Sequence, residues 1–194
     1  MVLPLGKPVH DVDAIRETGL ESDMGPPEGP NQSAWRFRLA MLKHHRTVYQ
    51  VCYGILGDAH EAEDVTQEAF LRYWQLSSEV RGAKAWLITV ARNKCLDRLR
   101  SSRRLVEVEP EVLERRPDER DPEWHANQSE MSSRLKQLID RLPEPQKSLV
   151  VLFDIQGMTG AECAEILDLN INQVKVYLHR ARKRLRLALE GCRD

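Results

Sequence analysis

The residue types in this chain that carry chemistry are those of recognition rather than catalysis. Asn172, Gln173, Lys175, Val176, His179 and Arg180 precede a basic run from Arg182 through Lys183 and Arg184 to Arg186. Amides and bases in such a pattern hydrogen-bond to base edges in a DNA major groove, while Lys and Arg neutralise phosphates. A second basic set lies earlier, with Arg81, Lys84, Arg92, Lys94, Arg98 and Arg100 around Asn93 and Asp97. An amide such as that of Asn93 can reach a base edge or a sugar, or can bond locally to Asp97. The sequence has no carboxylate cluster and no Gly-rich phosphate loop, so an enzyme site is not expected. Cys52, Cys95, Cys163 and Cys192 lie far apart with no metal-ligand spacing, which points to reduced, buried thiols and to no metal or cofactor.

The elements that position these residues are helices. Thr159 and Glu162 have the spacing of a capping box, and Asn170 and Gln173 repeat it, so two short helices meet at a turn from Asp168 to Asn170. Ala164, Leu167, Val174, Leu178 and Leu185 fall on the seam of this pair, which leaves Asn172, Gln173, Lys175, Val176, His179 and Arg180 on free faces. A helix-turn-helix has this form, and so does an ordinary helical hairpin with a basic end.

Upstream, Trp35, Leu39, Leu42, Tyr49, Cys52, Ile55 and Leu56 recur at helical spacing up to Gly57. Asp58 and Glu61 begin a second helix whose core side is Ala62, Val65, Ala69, Tyr73 and Trp74. Its other face, with Glu61, Asp64, Gln67, Glu68 and Arg72, is either simply solvated or offered to a basic partner. Leu76 to Ala83 is a loop. A third helix follows, with Trp86, Leu87, Val90, Ala91 and Leu99 as its apolar stripe. Leu105 to Gln128 has no apolar period and several prolines, so it is expected to be a linker. Leu135, Leu138, Ile139 and Leu142 mark the next helix. Leu149, Leu152 and Phe153 mark another that stops at Gly157.

The 194 residues are 41% hydrophobic and 30% charged, the composition of a folded chain. Residues 1–32 are rich in Pro and Gly and are expected to be disordered, apart from a weak helical turn around Val12 to Thr18. The longest apolar runs are too short to span a membrane, and no leader pattern is present, so a cytoplasmic protein is expected. The net charge of −1 conceals basic segments at 81–104 and 175–186 and acidic ones at 58–68 and 105–123, a pattern that suits two contacts with a polyanion.

Three stretches taken in order, GDAHEAEDVTQEAFLRYW, AWLITVARNKCLDRLR and LPEPQKSLVVLFDIQGMTGAECAEILDLNINQVKVYLHRARKRLR, resemble the extracytoplasmic-function (group IV) sigma factors of bacterial RNA polymerase. The resemblance implies an all-α chain with two small helical domains joined by a flexible acidic linker. It places region 2 at 33–104, the linker at 105–128 and region 4 at 129–194. It implies that Asp64, Gln67, Glu68, Phe70, Leu71 and Trp74 dock on the clamp helices of the polymerase's largest subunit. Ser77, Ser78, Arg81, Lys84, Trp86, Arg92, Asn93, Asp97 and Arg100 would open and hold the minus-ten element. Asn172, Gln173, Lys175, Val176, His179 and Arg180 would read the minus-thirty-five element, with Arg182, Lys183 and Arg184 near phosphates. The implied partners are core RNA polymerase, through its clamp helices and flap, promoter DNA and an anti-sigma factor. A regulator that binds operators without polymerase is the competing reading. It leaves the stretch from Asp58 to Arg104 without a role.

Overall fold

The computed structural model describes residues 32–76, 79–108 and 130–190, and among these every regular element is helical. The first three helices are α1 (Gln32–Leu56), α2 (Ala59–Leu76) and α3 (Ala83–Val108). Gly57 ends α1 at φ 76°, a left-handed conformation that L side chains rarely adopt, and its N–H donates to Tyr53 O at 2.8 Å. Asp58 then caps α2, its Oδ1 accepting from Glu61 N at 2.8 Å. The expected weak turn near Val12 lies outside the described residues.

These helices share one core. Val48, Val51, Cys52 and Ile55 of α1 meet Ala62, Val65, Ala69 and Tyr73 of α2 and Leu87, Ile88, Ala91 and Cys95 of α3. Burying a side chain of Ile or Leu size contributes about 1.5–3 kcal/mol, so this junction holds α3 in place. Cys52, Cys95 and Cys163 are free and buried, as their spacing suggested.

The second half contains α4 (Glu130–Asp140), α5 (Gln146–Leu149) running without a break into a π-helical turn (Val150–Ile155), then α6 (Gly160–Leu167) and α7 (Ile171–Glu190). Both capping boxes are present. Thr159 Oγ1 accepts from Glu162 N at 3.2 Å while Glu162 Oε2 accepts from Thr159 N at 2.9 Å. Asn170 and Gln173 exchange the same pair of bonds, both at 2.9 Å. Asp168 takes the left-handed turn position at φ 52°, ψ 50°. A β-branched residue is strained there by about 1–2 kcal/mol, whereas Asp and Gly are tolerated. Asp168→Val should therefore destabilise the chain by about that amount in thermal unfolding, and Asp168→Gly should leave the midpoint unchanged or raise it.

Several expectations are corrected. Leu42 is 65% exposed, because Ala40, Val48, Val51 and Cys52 define the inward stripe of α1 instead. Trp74 lies outward at 46% exposure, and Phe70, placed on a docking surface by resemblance, is buried at 3%. Phe70 stacks on His45 and meets the edge of Phe37, which fills the gap between α1 and α2. Leu135 is also exposed. In the helix-turn-helix the fully buried residues are Cys163, Ile166, Val174, Leu178 and Ala181, with Ala164, Leu167 and Leu185 only partly buried. Finally α3 continues through Val108, into the expected linker.

The two halves touch. A single apolar cluster continues from α1–α3 through Leu149, Val151, Leu152 and Met158 to Cys163, Ile166, Val174 and Leu178. Polar contacts surround it. Lys147, buried in the second half, donates to Ile55 O at the end of α1 and to Asp140 Oδ1, both at 2.7 Å.

Candidate functional site

Residues three and four apart share one side of a helix, and on α2 that rule builds a mixed surface. Asp64, Gln67, Leu71 and Trp74 are exposed along it, Leu71 at 62%. Trp74 is braced edge-on by Phe37, with ring centroids 5.0 Å apart. An exposed Leu and Trp beside carboxylates form an apolar anchor with an acidic rim, which is the composition of a protein-docking patch. Glu68 stands at the back of this surface, bonded to Lys94 and, at 2.8 Å, to Arg98 Nη2. The Lys94 hydrogen bond, followed by that of Arg98, holds its carboxyl below the usual range. Arg98 also approaches Asp64 at 3.7 Å. Lys94 and Arg98 thus tie α3 to α2 and are not free for phosphate.

The remaining cations of α3 point elsewhere. Asn93, Asp97 and Arg100 lie on one exposed face at i, i+4 and i+7, with Arg100 Nη1 donating to Asp97 Oδ1 at 3.0 Å. Asn93 does not bond to Asp97; its Oδ1 accepts from Arg92 at 3.2 Å. Arg81 is exposed, while Trp86 is half-buried against Tyr73 at 5.8 Å and so braces the start of α3. Ser77 and Ser78 lie outside the described residues. Lys84 and Arg92 are occupied by the second half, Lys84 by Glu162 and Arg92 by Ser148 and Glu144.

On α7, Asn172, Gln173, Lys175, Val176, His179, Arg180, Arg182, Lys183 and Arg184 are all exposed. Two faces can be distinguished. Asn172, Val176, Arg180 and Arg184 follow the i, i+4 row. Lys175, His179, Arg182, Lys183 and Arg186 border a groove of about 900 Å³ floored by Phe153, Ile171, Val174 and Leu178. Gln173 uses its carbonyl oxygen in the cap, which leaves its NH2 as a donor. Arg182 is held by Asp154 and lies over the Phe153 ring at 5.5 Å, a hydrogen-bonded pairing that raises its pKa. Exposed bases on a capped helix, with no acid between Lys175 and Arg186, present a polyanion-binding surface.

The contacts that sequence reasoning missed are those between segments distant in the chain. Lys84–Glu162, Arg92–Glu144 and Lys147–Ile55 join residues with no local relationship, and only the buried Lys147 hints that it needs a partner. The Lys84 hydrogen bond, with the Thr159 cap behind it, pulls the Glu162 pKa from 4.5 to about 2. Since that pKa is depressed, the contribution of the ionised carboxylate is complete above about pH 4.5 and is lost as pH falls to about 2. A carboxyl titration followed by NMR should find Glu162 near that low value and, in Lys84→Met, closer to 4.5.

Two family models match the chain, one described as Sigma-70 region 2 over residues 41–105 and one as Sigma-70, region 4 over residues 132–185. ECF RNA polymerase sigma factor SigW of Bacillus subtilis (strain 168) is 34% identical over 154 residues, covering 73% of this chain and 82% of the relative. ECF RNA polymerase sigma factor SigE of Mycolicibacterium smegmatis is 32% identical over 148 residues, covering 74% of this chain and 58% of that protein. The same fold is found in sigma factor RpoE, solved in complex with the anti-sigma factor NepR from Bartonella quintana. Its TM-score is 0.62 at 21% identity, over 79% of this chain and 96% of that one.

Proposed function

This chain belongs to the extracytoplasmic-function sigma factors of RNA polymerase, and from that membership we propose how its two surfaces divide the work of promoter-specific initiation. The role is that of a non-catalytic initiation factor: the chain binds core polymerase and directs it to promoters. The observation that carries the division is chemical. The α2 surface is apolar and acidic where it is exposed, whereas α7 is basic, so one suits a protein partner and the other a nucleic acid.

In this reading Asp64, Gln67, Leu71 and Trp74 dock on the clamp helices of the largest subunit, with Glu68 fixing α2 against α3. Phe70 supports that surface from beneath rather than touching the partner. Arg81, Lys84, Arg92, Asn93, Asp97 and Arg100, with Trp86 bracing them and Ser77 and Ser78 preceding them in the sequence, handle the minus-ten element. Holding an extruded base costs a few kcal/mol of lost stacking, which a preformed basic surface offsets. The α7 residues read the minus-thirty-five element, Arg182 to Arg184 lie near phosphates, and the flap contacts this half. The chain works beside DNA in the cytoplasm. RpoE of Bartonella quintana is held by an anti-sigma factor, and a partner of that class is proposed here. An operator-binding regulator would need α7 alone and would leave the α2 surface without use.

Base preference tests the assignment on α7. Lys175→Ala and His179→Ala, assayed with core polymerase on duplexes randomised at minus-thirty-five, should each relax selection at particular positions, by about 1–3 kcal/mol for a base-edge contact. A uniform loss over all sequences would reassign them to phosphates.

A further inference from the structure

The core shared by α1, α2 and α3 holds a reactive pair that the proposed function does not use. Cys52 of α1 and Cys95 of α3 are each 0% exposed, and their thiols are hydrogen-bonded to one another. Thr66 of α2 lies beside Cys52, its Oγ1 donating to Ala62 O at 2.7 Å. Val48, Val51 and Ile55 of α1 and Leu87, Ile88 and Ala91 of α3 pack in the same cluster, so neither thiol can turn away without leaving a void. One buried cysteine is a small apolar filler, whereas two sulfurs in contact are a dithiol. Cys163, in the second half, differs: no thiol is among the groups acting on it, and burial, with Glu162 and Asp154 nearby, pushes its pKa up to about 11.

The hydrogen bond between Cys52 and Cys95 also divides their acidities. As its acceptor, Cys52 is held below the usual thiol pKa against the opposing effect of burial, while Cys95, the donor, is pushed up. Cys52 is therefore the sulfur that ionises and attacks. Access comes from the side of Arg98 and Glu61, both close enough to Cys95 to bear on its charge. These two residues, with Lys94 and Ser102, wall a recess of about 350 Å³, and Glu61 Oε2 is buried there with no hydrogen-bond partner. A polar recess suits hydrogen peroxide, which bonds as water does, better than a bulky apolar oxidant. The last step inward takes a local parting of α2 from α3, an opening far smaller than unfolding.

We propose that Cys52 and Cys95 form an oxidation site, at which hydrogen peroxide converts the thiol pair into a disulfide that braces α1 against α3. The Cys52 thiolate attacks one peroxide oxygen, the O–O bond breaks, and hydroxide leaves and takes up the thiol proton as water, so that Cys52 becomes a sulfenic acid. The Cys95 sulfur then attacks the Cys52 sulfur, the S–O bond breaks, and the departing hydroxide carries off the Cys95 proton as a second water. Two thiols are oxidised and one peroxide is reduced to two waters. An S–S bond requires its sulfurs face to face, which the hydrogen-bonded thiols already are. At about 100° per residue, Asn93, Asp97 and Arg100 lie on the side of α3 opposite Cys95, so the bond leaves that exposed face as it is.

The test leaves the pair itself unsubstituted. The full chain carrying Cys192→Ser, which prevents linkage between chains through that residue, is treated with hydrogen peroxide and quenched with catalase. Remaining thiols are then blocked with N-ethylmaleimide in denaturant, and the digest is read by mass spectrometry. The expected result is a Cys52–Cys95 linked peptide, with Cys163 recovered as its maleimide adduct. A crosslink that closes a loop of about 40 residues should raise the melting midpoint by on the order of 10 °C, and dithiothreitol should reverse the rise. Recovery of Cys52 and Cys95 as blocked thiols, or as separate sulfinic acids, overturns the proposal. So does a linked chain whose midpoint is unchanged or lower, since the bond would then strain the core rather than brace it. Cys95→Ala removes the partner that resolves the sulfenic acid, so in that variant peroxide should carry Cys52 on to the sulfinic acid. If Cys52 stays reduced there, it is not the attacking sulfur, and the assignment of the site fails.

Discussion

Leu71→Asp should weaken binding to core RNA polymerase by roughly 30-fold, about 2 kcal/mol, which is the scale at which a central apolar contact registers in an interface. The reason lies in what Leu71 does without a partner. At 62% exposure on α2 it buries little in the free chain, so its replacement should change folding stability by no more than about 0.5 kcal/mol. It sits one turn from Trp74 and Gln67, in the centre of the exposed row that begins at Asp64. Fluorescence-detected titration of core enzyme, paired with thermal unfolding of the variant, separates the two effects. Unchanged affinity would remove α2 from the interface. Leu71 is a cleaner probe than Glu68, because reversing Glu68 would also place like charges beside Lys94 and Arg98 and loosen α2 from α3.

The largest loss of stability is expected at Leu87→Ala. Leu87 is 0% exposed and packs in the cluster that joins α3 to α1 and α2. Truncation removes buried methyl groups and leaves a cavity, a combination that costs about 2–5 kcal/mol. For a chain of this size the melting midpoint should fall by on the order of 10 °C. Leu42→Ala, by contrast, should leave the midpoint nearly unchanged, since Leu42 is 65% exposed. Calorimetry on the pair tests the assignment of the inward face of α1 and α3, and equal shifts in the two variants would contradict it.

The parts of this molecule legible in its sequence are those decided within a few residues. Thr159 with Glu162, Asn170 with Gln173, and Asp58 each bond to backbone three positions away, so spacing alone located the starts of three helices. Asn172, Gln173, Lys175, Val176, His179 and Arg180 were legible as exposed because the seam of α7 leaves them no other side. Periodicity was less decisive where aromatic residues crowd one edge. Phe70 and Trp74 are one turn apart and both reach toward Phe37 of α1, yet only Phe70 is buried, a choice made by packing against α1 rather than by spacing along α2. The end of α3 was misplaced for another reason: Leu105 to Val108 lack an apolar period, yet nothing stops a helix before the restriction that Pro110 imposes on the residue preceding it. The pairs Lys84–Glu162 and Arg92–Glu144 had no signal at all, since each joins two charged residues that look solvated in their own segments. Local spacing therefore marks the basic residues of α3 as a set but does not reach their counter-ions in the second half.

Reconstituted transcription tests the central claim most directly: the purified chain is added to sigma-free core polymerase with templates that include its own upstream region. The expected result is discrete transcripts that depend on the chain, start at fixed positions and are lost with Leu71→Asp. Absence of both transcripts and core binding, from a chain that melts cooperatively, would contradict its role as a promoter-specific initiation factor.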